Sequence, residues 1–390
     1  MEKTLGIYVH IPFCLKKCRY CDFVSFSVEK GLSAKADEYA YRVCEEIEST
    51  DEDIKRGYTV DSIFFGGGTP TCLGVDMIGR ILLCIKKNFN VPPDAEITIE
   101  ANPETVNVTR ASVLRSLGFN RVSMGVQSLD DEVLNRLGRV HNAAKAVEAF
   151  NFLRGSGFKN INLDLMFGVP GQSFESWKDT LEKVIRLRPE HISFYSLQIE
   201  EGTPFYEEYK EGSLSIPSWE ENRKMYSYAL KVLEESGYIH YEISNAAKMG
   251  FECRHNLKYW TMNEYLGFGT AAHSFISGKR FFNTDDLDYE REYEEEDPET
   301  IAQDRMGDFV FTELRLIKGI DIKGFEQSFG KDFEDVFSAV LDSQDIVPFI
   351  DVKRDEDGKL SGLSLSRRGL DNTNMVMQRF LEALYEIKEV

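Results

Sequence analysis

The sequence predicts an α/β protein in which a parallel sheet is joined by helical crossovers. Short runs rich in β-branched and apolar residues recur along the first two-thirds of the chain. Longer amphipathic stretches separate these runs, as expected for consecutive βαβ units. Several stretches end in glycine followed by an aromatic residue, a pattern typical of a helix end and return to the sheet, as at Gly118, Gly157 and Gly237.

Six candidate strands alternate with six candidate helices in this region. The strands are expected at 5–11, 60–66, 96–102, 121–127, 160–168 and 191–199. The helices are expected at 35–49, 75–89, 109–118, 142–157, 173–187 and 219–237. Because eight such units close a TIM-type barrel, six units predict an open, partial (βα)6 barrel.

The pattern changes near Gly237, where aromatic, Asn, Gly and His residues become frequent and no long helical stretch follows. The acidic stretch at 285–300 has the composition of a solvated linker or a surface helix. We therefore predict three regions, namely the partial barrel over 1–236, an aromatic-rich extension with the acidic linker over 237–300, and a small helix-rich domain over 301–390.

Charge and cysteine usage limit the partners of the 390-residue chain. Its 46 basic and 66 acidic residues give a net charge of −20, which disfavours nucleic acid and anionic lipid surfaces. No segment resembles a signal peptide, and no apolar run reaches the roughly 20 residues of a membrane span. We expect a cytoplasmic protein that is not integral to a membrane. In the reducing cytoplasm, seven cysteines, three of them clustered, indicate metal or redox chemistry rather than a disulfide framework.

Polar or flexible residues stand at or just beyond the ends of most predicted strands. In a parallel sheet such positions converge on the rim formed by the carboxyl ends of the strands, where sites are built. Each position alone is weak evidence, but several on one rim predict a functional site. They are His10 with the loop behind it, the glycine turn 66–70, Glu100 with Asn102, Gln127, and Asp164.

The stretch IYVHIPFCLKKCRYCDF carries Cys14, Cys18 and Cys21 in a C-x3-C-x2-C spacing. A structural zinc site or a ferredoxin-like cluster needs four ligands, and no paired CxxC follows downstream. Three thiolates can instead hold three irons of a [4Fe–4S] cluster and leave the fourth iron open to a ligand with an amine and a carboxylate. The glycines of FFGGGTP, after the next strand, allow a backbone to approach such a ligand closely.

These residues resemble the radical S-adenosylmethionine (SAM) superfamily, and within it the branch of the oxygen-independent coproporphyrinogen III oxidases. The resemblance implies that the three cysteines ligate a [4Fe–4S] cluster whose unique iron binds SAM, with an electron donor as partner. Reductive cleavage of SAM then gives methionine and a 5′-deoxyadenosyl radical. The motifs that carry the resemblance are YVHIPFCLKKCRYCDF, FFGGGTPT, ITIEANPE, RVSMGVQSLDDEVLNRLGR and NINLDLMFGVPGQ.

The same resemblance implies a set of residues that contact SAM. A carboxylate suits the ribose hydroxyls or the cationic amine of SAM, and a guanidinium can pair with its carboxylate. The positions that match the family are Tyr8, Gly67, Gly68, Thr69, Glu100, Gln127, Arg139 and Asp164.

Two departures separate the chain from the oxidases. Phe23 stands where the oxidases carry a further cysteine, and only seven residues precede Tyr8, where the oxidases have a longer extension. In both respects the sequence is similar to haem chaperones of the same branch, whose H-N-x-x-Y-W motif is present as HNLKYW. This implies that haem or another tetrapyrrole is bound and passed to client haemoproteins. The implied haem motif residues are His255, Asn256, Tyr259 and Trp260, with Cys253 and His273 as competing iron ligands.

Two other functions remain open. The first is oxygen-independent coproporphyrinogen III oxidation, in which two propionates are decarboxylated to give protoporphyrinogen IX. The second, which we favour less, is a radical SAM methyltransferase, for which HNLKYW would have no role. We expect the oxidase activity to be absent; if the protein is an enzyme, the resemblance implies an oxidoreductase that cleaves SAM reductively.

The last region, 301–390, resembles the C-terminal domain of the oxidases, a small helical unit like a winged helix. Strands are expected near 316–322 and 363–369. Winged helices often bind DNA, but SRRGLDNTNMVMQRF offers too little positive charge in so acidic a chain. We therefore interpret this region as a lid or a docking module.

Overall fold

The computed structural model describes residues 3–27 and 32–386. The chain forms two compact units. The first comprises Met1–Ile239, Ala246–His255 and Glu264–Glu294, and the second comprises His240–Asn245, Asn256–Asn263 and Glu295–Val390.

The strands of the described chain fall into one large sheet and two small ones. They are β1 (Thr4–Ile11), β2 (Phe13–Cys14), β3 (Phe26–Ser27), β4 (Thr59–Gly67), β5 (Glu96–Ala101), β6 (Arg121–Gln127), β7 (Ile161–Phe167), β8 (His191–Ser196), β9 (Ile239–Glu242), β10 (Asn245–Ala247), β11 (Tyr265–Phe268), β12 (His273–Ile276), β13 (Lys279–Asn283), β14 (Arg291–Tyr293), β15 (Ile350–Arg354) and β16 (Leu360–Leu365).

The helices alternate with the parallel strands in the first part of the chain and dominate its last part. They are α1 (Leu32–Glu48), α2 (Glu52–Gly57), α3 (Val75–Asn88), α4 (Val108–Leu117), α5 (Asp131–Leu137), α6 (Ala143–Gly155), α7 (Phe174–Leu187), α8 (Pro204–Lys210), α9 (Trp219–Glu235), α10 (Arg254–Trp260), α11 (Ile301–Glu313), α12 (Ile322–Phe329), α13 (Phe333–Leu341), α14 (Arg367–Asp371) and α15 (Thr373–Glu386). None of the helices in the described ranges is both long enough and apolar enough to cross a membrane.

The six predicted strands form the parallel core of the large sheet. β1, β4, β5, β6, β7 and β8 are neighbours in this order, and every adjacent pair is parallel. Their side chains are mostly buried, as expected when helices cover one face and an interior lies on the other. Gly118, Gly157 and Gly237 have φ values of 108°, 90° and 81°, so each adopts the left-handed conformation predicted after its helix. The prediction of a partial α/β barrel is confirmed.

The extension after the barrel contains more sheet than the sequence pattern indicates. β11 pairs in parallel with β1, and β12, β13 and β14 continue outward from it as antiparallel strands. The prediction of a linker or surface helix at 285–300 is therefore wrong for β14. The reason is local, because Tyr289 and Arg291 both bond the Glu46 carboxylate of α1, at 2.9 and 3.0 Å.

Side chains alternate between two faces along each strand. On β1, Leu5, Ile7 and Val9 have no exposed surface and lie on the outer face, toward the helices. Gly6, Tyr8 and His10 lie on the opposite face, which we call the inner face. The alternation along each strand, together with the pairing of neighbouring strands, assigns residues of the other strands to the inner face.

The second unit has its own hydrophobic core, built from helices α11–α15 and the β15–β16 hairpin. Four phenylalanines form its centre, and the helix-rich character predicted for the C-terminal region is confirmed. The prediction of a strand near 316–322 is wrong, because Leu316 and Ile320 make only isolated bridges, to Glu242 and Leu363. The centre comprises Phe325, Phe333, Phe337 and Phe380.

Candidate cofactor site at the carboxyl rim of the sheet

The cysteine loop leaves the carboxyl end of β1 and is fixed by the glycine turn after β4. The N–H of Gly68 donates to the Ile11 carbonyl at 2.9 Å, and that of Thr69 donates to the Phe13 carbonyl at 2.8 Å. The Thr69 hydroxyl lies 3.5 Å from the Cys14 sulfur. A Cβ at Gly68 would come within 2.9 Å of the Phe13 backbone and 3.1 Å of that sulfur, so only glycine fits here without displacement.

The three motif thiols share one electrostatic environment. Burial raises the pKa of Cys14, and the Cys18 thiol raises it further. Burial also raises the pKa of Cys21 to about 11, with contributions from the thiols of Cys18 and Cys14. The guanidinium of Arg139 donates to the Cys18 sulfur at 3.4 Å. The loop therefore brings together the three residues that the sequence predicts as cluster ligands.

The donor set fits a cluster better than a single metal ion. Within residues 3–27 and 32–386, no three His, Cys, Asp or Glu side chains converge closely enough to hold one ion. A [4Fe–4S] cluster does not require such convergence, because each thiolate binds a different iron. Three thiols on one loop, without a carboxylate among them, are the donors that iron–sulfur clusters use.

Two partly buried carboxyl groups, Glu100 on β5 and Asp164 on β7, lie beyond the cysteine loop on the sheet. Burial, then the nearby charge of Asp164, raises the pKa of Glu100 to about 8. Its carboxylate accepts the N–H of Gly67 at 3.2 Å. Burial likewise raises the pKa of Asp164, which accepts from Asn162 at 2.7 Å. A nearby positive charge would stabilise the ionised forms of these two poorly solvated acids. The pair therefore favours a cationic ligand, and SAM is a cation.

Two residues near the end of β6 carry buried polar atoms that have no hydrogen-bond partner within residues 3–27 and 32–386. Gln127 has a φ of 63° and a buried Oε1 without a hydrogen-bond partner among residues 3–27 and 32–386. Arg139 donates from Nη2 to Asn102 at 2.6 Å and to the Gly125 carbonyl at 2.7 Å, while its buried Nε has no partner in the same residues. Because buried polar groups are normally hydrogen-bonded, these atoms fit a polar ligand at the rim.

Tyr8 connects the rim with the interior. Its hydroxyl lies 3.1 Å from Nδ1 of His10, whose other ring nitrogen is 2.9 Å from the Val24 carbonyl. The Tyr8 ring stacks on Phe64 and His255, with centroids 6.3 and 6.4 Å apart. His10 is thus held by protein groups on both nitrogens, which suits a role in shaping the cysteine loop.

The predicted haem motif lies on α10, which begins in the first unit and ends in the second. His255 is only 1% exposed, and its Nδ1 lies 3.0 Å from the Ser62 hydroxyl. Its ring packs on Phe64 with centroids 5.4 Å apart. In the second unit, the Trp260 ring lies under Arg315 at 4.3 Å, and Tyr259 packs edge-on against Trp260. The side chains of His255 and Trp260 therefore have separate surroundings.

The two other candidate iron ligands differ in access. Cys253 is fully buried, and its thiol lies 3.6 Å from the Glu96 carboxylate. His273 is exposed at the start of β12. Asn256, the remaining motif residue, follows His255 on α10 and is partly buried.

Sequence reasoning missed a buried polar network that supports Asp164. Asn162 bonds Asp164 and the Ser123 hydroxyl, and His191 bonds the amide oxygen of Asn162 at 2.6 Å. Burial, aided by the charge of Arg121, lowers the pKa of His191 well below its ordinary value. The signal was present, since these polar residues interrupt strands that are otherwise apolar.

Comparison with known proteins places this geometry in a family. The chain matches the models of the radical SAM superfamily over residues 8–184 and of the HemN C-terminal domain over residues 302–371. It is 36% identical over 343 residues to the heme chaperone HemW of Bacillus subtilis, covering 86% of this chain and 89% of the relative. It is 38% identical over 338 residues to the heme chaperone HemW of Haemophilus influenzae, covering 84% and 86%.

Among solved structures, the chain is similar to coproporphyrinogen III oxidase (HemN) from Escherichia coli, described as a radical SAM enzyme. The TM-score is 0.80 at 25% sequence identity, and the match covers 97% of this chain and 90% of the other. The predicted resemblance to the radical SAM superfamily and its coproporphyrinogen oxidase-like branch is confirmed by these matches. The family uses a [4Fe–4S] cluster and SAM, for which the rim provides fitting residues.

Proposed function

The chain belongs to the HemW family of radical SAM proteins, and from this premise we propose that it is a haem chaperone that passes haem to client haemoproteins. The observation that carries the proposal is the 36–38% identity, over more than four-fifths of the chain, to relatives named heme chaperone HemW. Phe23, in place of a further cysteine, supports the same choice over the oxidases.

The rim residues have separate roles in this proposal. Cys14, Cys18 and Cys21 hold the [4Fe–4S] cluster, and the Arg139 guanidinium stabilises the charge of the Cys18 sulfur. Glu100 and Asp164 would hold the cationic part of SAM. When bound, the cluster and SAM supply the chemistry of reductive SAM cleavage, for which a protein electron donor is the implied partner.

Haem is the proposed cargo, and the HNLKYW motif is part of its handling. The aromatic residues Tyr259 and Trp260 can pack on a porphyrin face, while His255 and Asn256 stand at the start of the same helix. All seven cysteines are free thiols, which suits the reducing environment of the cytoplasm, the compartment we propose for this protein.

The cluster is tested by removing one thiol at a time. Anaerobically reconstituted protein is expected to show a [4Fe–4S] absorbance that Cys14→Ala, Cys18→Ala and Cys21→Ala each abolish. Cys72→Ala is the matched control, because Cys72 lies outside the motif yet near enough to Cys14 for the Cys14 thiol to raise the pKa of Cys72. Unchanged iron content in the three motif variants would contradict the cluster assignment. Loss of the [4Fe–4S] absorbance in Cys72→Ala would indicate a fourth thiolate ligand and therefore no open iron.

The oxidase is the second candidate, favoured by the match to the HemN structure. Reconstituted protein with SAM, a reductant and coproporphyrinogen III is assayed anaerobically beside a haem titration. We expect stoichiometric haem uptake, haem transfer to an apo-haemoprotein, and no protoporphyrinogen. Sustained production of protoporphyrinogen would contradict the chaperone function and support the oxidase function.

A further inference from the structure

One histidine is accessible to a ligand from solvent. The sequence contains six histidines, and all six lie in the described ranges. His273 is exposed, whereas the other five are buried or partly buried, namely His10, His141, His191, His240 and His255. A haem iron that takes an imidazole without rearrangement of the protein therefore meets His273 first.

The pairing of the strands places His273 on the inner face. Tyr8 of β1 is opposite Gly267 of β11, and Tyr265 of β11 is opposite Phe275 of β12. Tyr265 is also opposite Gly6 of β1, which lies on the face of Tyr8, and His273 stands two residues before Phe275 on the same face of β12. Residues directly opposite each other project on the same face, so His273 shares the face of Tyr8.

The outer face of these strands is already covered. Ser274 and Phe281, which alternate with His273 and Phe282, are buried. The side chain of Asn283 on β13 donates to Glu46 of α1 at 2.8 Å, so α1 lies on this side. His273 and Phe282 project away from α1, on the side where the cofactor residues lie.

The surroundings of His273 leave its ring nitrogens available. Its ring stacks on Phe282 with centroids 5.3 Å apart and an interplanar angle of 25°. Stacking uses the face of the imidazole, whereas a metal binds the lone pair in the ring plane. Neither ring nitrogen of His273 makes a hydrogen bond to any residue of 3–27 or 32–386.

The neighbouring side chains match the chemistry of a porphyrin. Phe275 and Tyr265 lie on the same face with ring centroids 6.5 Å apart, and the Arg280 guanidinium is 5.2 Å from the Phe275 ring. Aromatic rings stack on a macrocycle, and a guanidinium pairs with a propionate carboxylate. Gly267 of β11 contributes no side chain to this face, and a Cβ there would collide with the His273 carbonyl.

We propose that haem binds on the inner face of β11–β13 with His273 as its axial ligand, an assignment that rests on the proposed haem-chaperone function. Two strand spacings, about 10 Å, separate the backbones of Tyr8 and His273. The haem therefore lies beside the cofactor site on one continuous face. His255 is not the ligand in this proposal, because its Nδ1 is committed to Ser62 and its ring packs against Tyr8 and Phe64.

The test is a haem titration of the full-length chain, followed by absorbance and electron paramagnetic resonance. The wild-type protein is expected to give the spectrum of imidazole-ligated haem. His273→Ala and His273→Gln lose this spectrum and weaken binding at least about tenfold, equivalent to about 1.4 kcal/mol. Free imidazole restores the spectrum of His273→Ala. His240→Gln is the matched control, because His240 is a partly buried histidine of the second unit, and it keeps the wild-type spectrum; His255→Gln is measured beside it.

The outcomes separate this inference from the proposed function. If the wild-type chain takes up haem and both His273 variants keep its spectrum and affinity, the His273 site is overturned and the chaperone proposal stands. Loss of the spectrum in His255→Gln alone assigns the ligand to the motif histidine and also overturns the site. If the wild-type chain takes up no haem, both proposals fail. Since His273 is exposed, both of its variants are expected to fold.

Discussion

Glu100 shows how far the fold alters a single residue. Its carboxyl group lies beside Asp164 in the interior, so the ionised form is poorly solvated and meets a like charge. The pKa of Glu100 rises from 4.5 to about 8 as a result. Without a cofactor, the native protein therefore keeps a proton on Glu100 at neutral pH, whereas the unfolded chain has lost it.

This difference predicts a pH-dependent stability. Between about pH 4.5 and 8 the native state binds the extra proton, so the free energy of unfolding falls as pH rises through this window. One proton contributes a slope of at most about 1.4 kcal/mol per pH unit. Glu100→Gln, which stays neutral, is expected to remove this part of the slope in urea unfolding of the cofactor-free protein. The exposed Glu132→Gln is the control, and parallel slopes for wild type and Glu100→Gln would contradict the prediction.

Arg139 is the residue that joins the cysteine loop to β5 and β6. One guanidinium contacts the Cys18 sulfur, the Asn102 side chain and the Gly125 carbonyl. Burial by itself lowers the pKa of Arg139, but the nearby Tyr20, Cys18 and Glu104 outweigh that effect and raise it. The group is therefore charged at every pH at which the protein is folded.

Replacing this guanidinium by an ammonium should be costly. Arg139→Lys keeps the charge but not the planar fork, so at least one buried acceptor, Asn102 or Gly125, loses its donor. We expect a loss of about 1–3 kcal/mol in the free energy of unfolding. The exposed Arg115→Lys should stay within about 0.5 kcal/mol of wild type. Equal stabilities of the two variants in urea would show that the fork is not needed.

At this scale the sequence could indicate positions but not environments. Glu100, Gln127 and Asp164 were predictable because parallel strands bring their carboxyl ends to one rim. Their protonation and bonding were not, because these depend on neighbours across strands, such as Asn162 for Asp164. His255 illustrates the same limit, since its burial against Phe64 follows from a contact between residues far apart in the chain.

At the scale of elements, α10 is held at its beginning by a carboxylate from β5. Both oxygens of Glu96 accept backbone N–H groups, those of Arg254 and His255, each at 3.2 Å. The first N–H groups of a helix have no partner within the helix. A negative charge at this end also interacts favourably with the positive end of the helix dipole. Glu96 thus fixes the start of the helix that carries His255.

Removing the Glu96 carboxylate is expected to loosen this start. Glu96→Ala leaves two N–H groups without acceptors and should lower the free energy of unfolding by about 1–3 kcal/mol. Asp94→Ala is the control, because Asp94 is exposed and receives Arg254 only through its backbone carbonyl. Urea unfolding measures both, and faster amide exchange at Arg254 and His255 should accompany the Glu96 change. A Glu96→Ala protein as stable as Asp94→Ala would refute the role.

Helices and strands were predicted correctly where a hydrophobic pattern repeats over a long stretch of sequence, and were missed where the strands are short. The predicted helix 75–89 and strand 121–127 agree with α3 and β6 almost to the residue. β11 and β12 have four residues each, and β11 contains Gly267. Both strands are defined by pairing with strands that are distant in the chain or across a tight turn. No local pattern specifies such partners, so the inner face around His273 could not be predicted.

At the scale of the whole molecule, the second unit has a hydrophobic core independent of the barrel strands. Phe333 is fully buried at its centre, with ring centroids 5.0 Å from Phe325 and 4.6 Å from Phe337. Phe380 on α15 lies 5.3 Å from Phe337. A domain with its own core can open separately from the rest of the chain.

Deleting the Phe333 ring should therefore destabilise one unit selectively. Phe333→Ala creates a cavity among aromatic rings and is expected to cost about 3–5 kcal/mol, whereas Phe311→Ala, an exposed phenylalanine on α11, should cost little. In hydrogen–deuterium exchange, protection should fall across α12–α15 and stay unchanged in β4–β8. If protection fell equally in β4–β8, the chain would unfold as one cooperative body. Selective loss would instead mean that haem affinity at His273, which lies in the first unit, survives the Phe333 change.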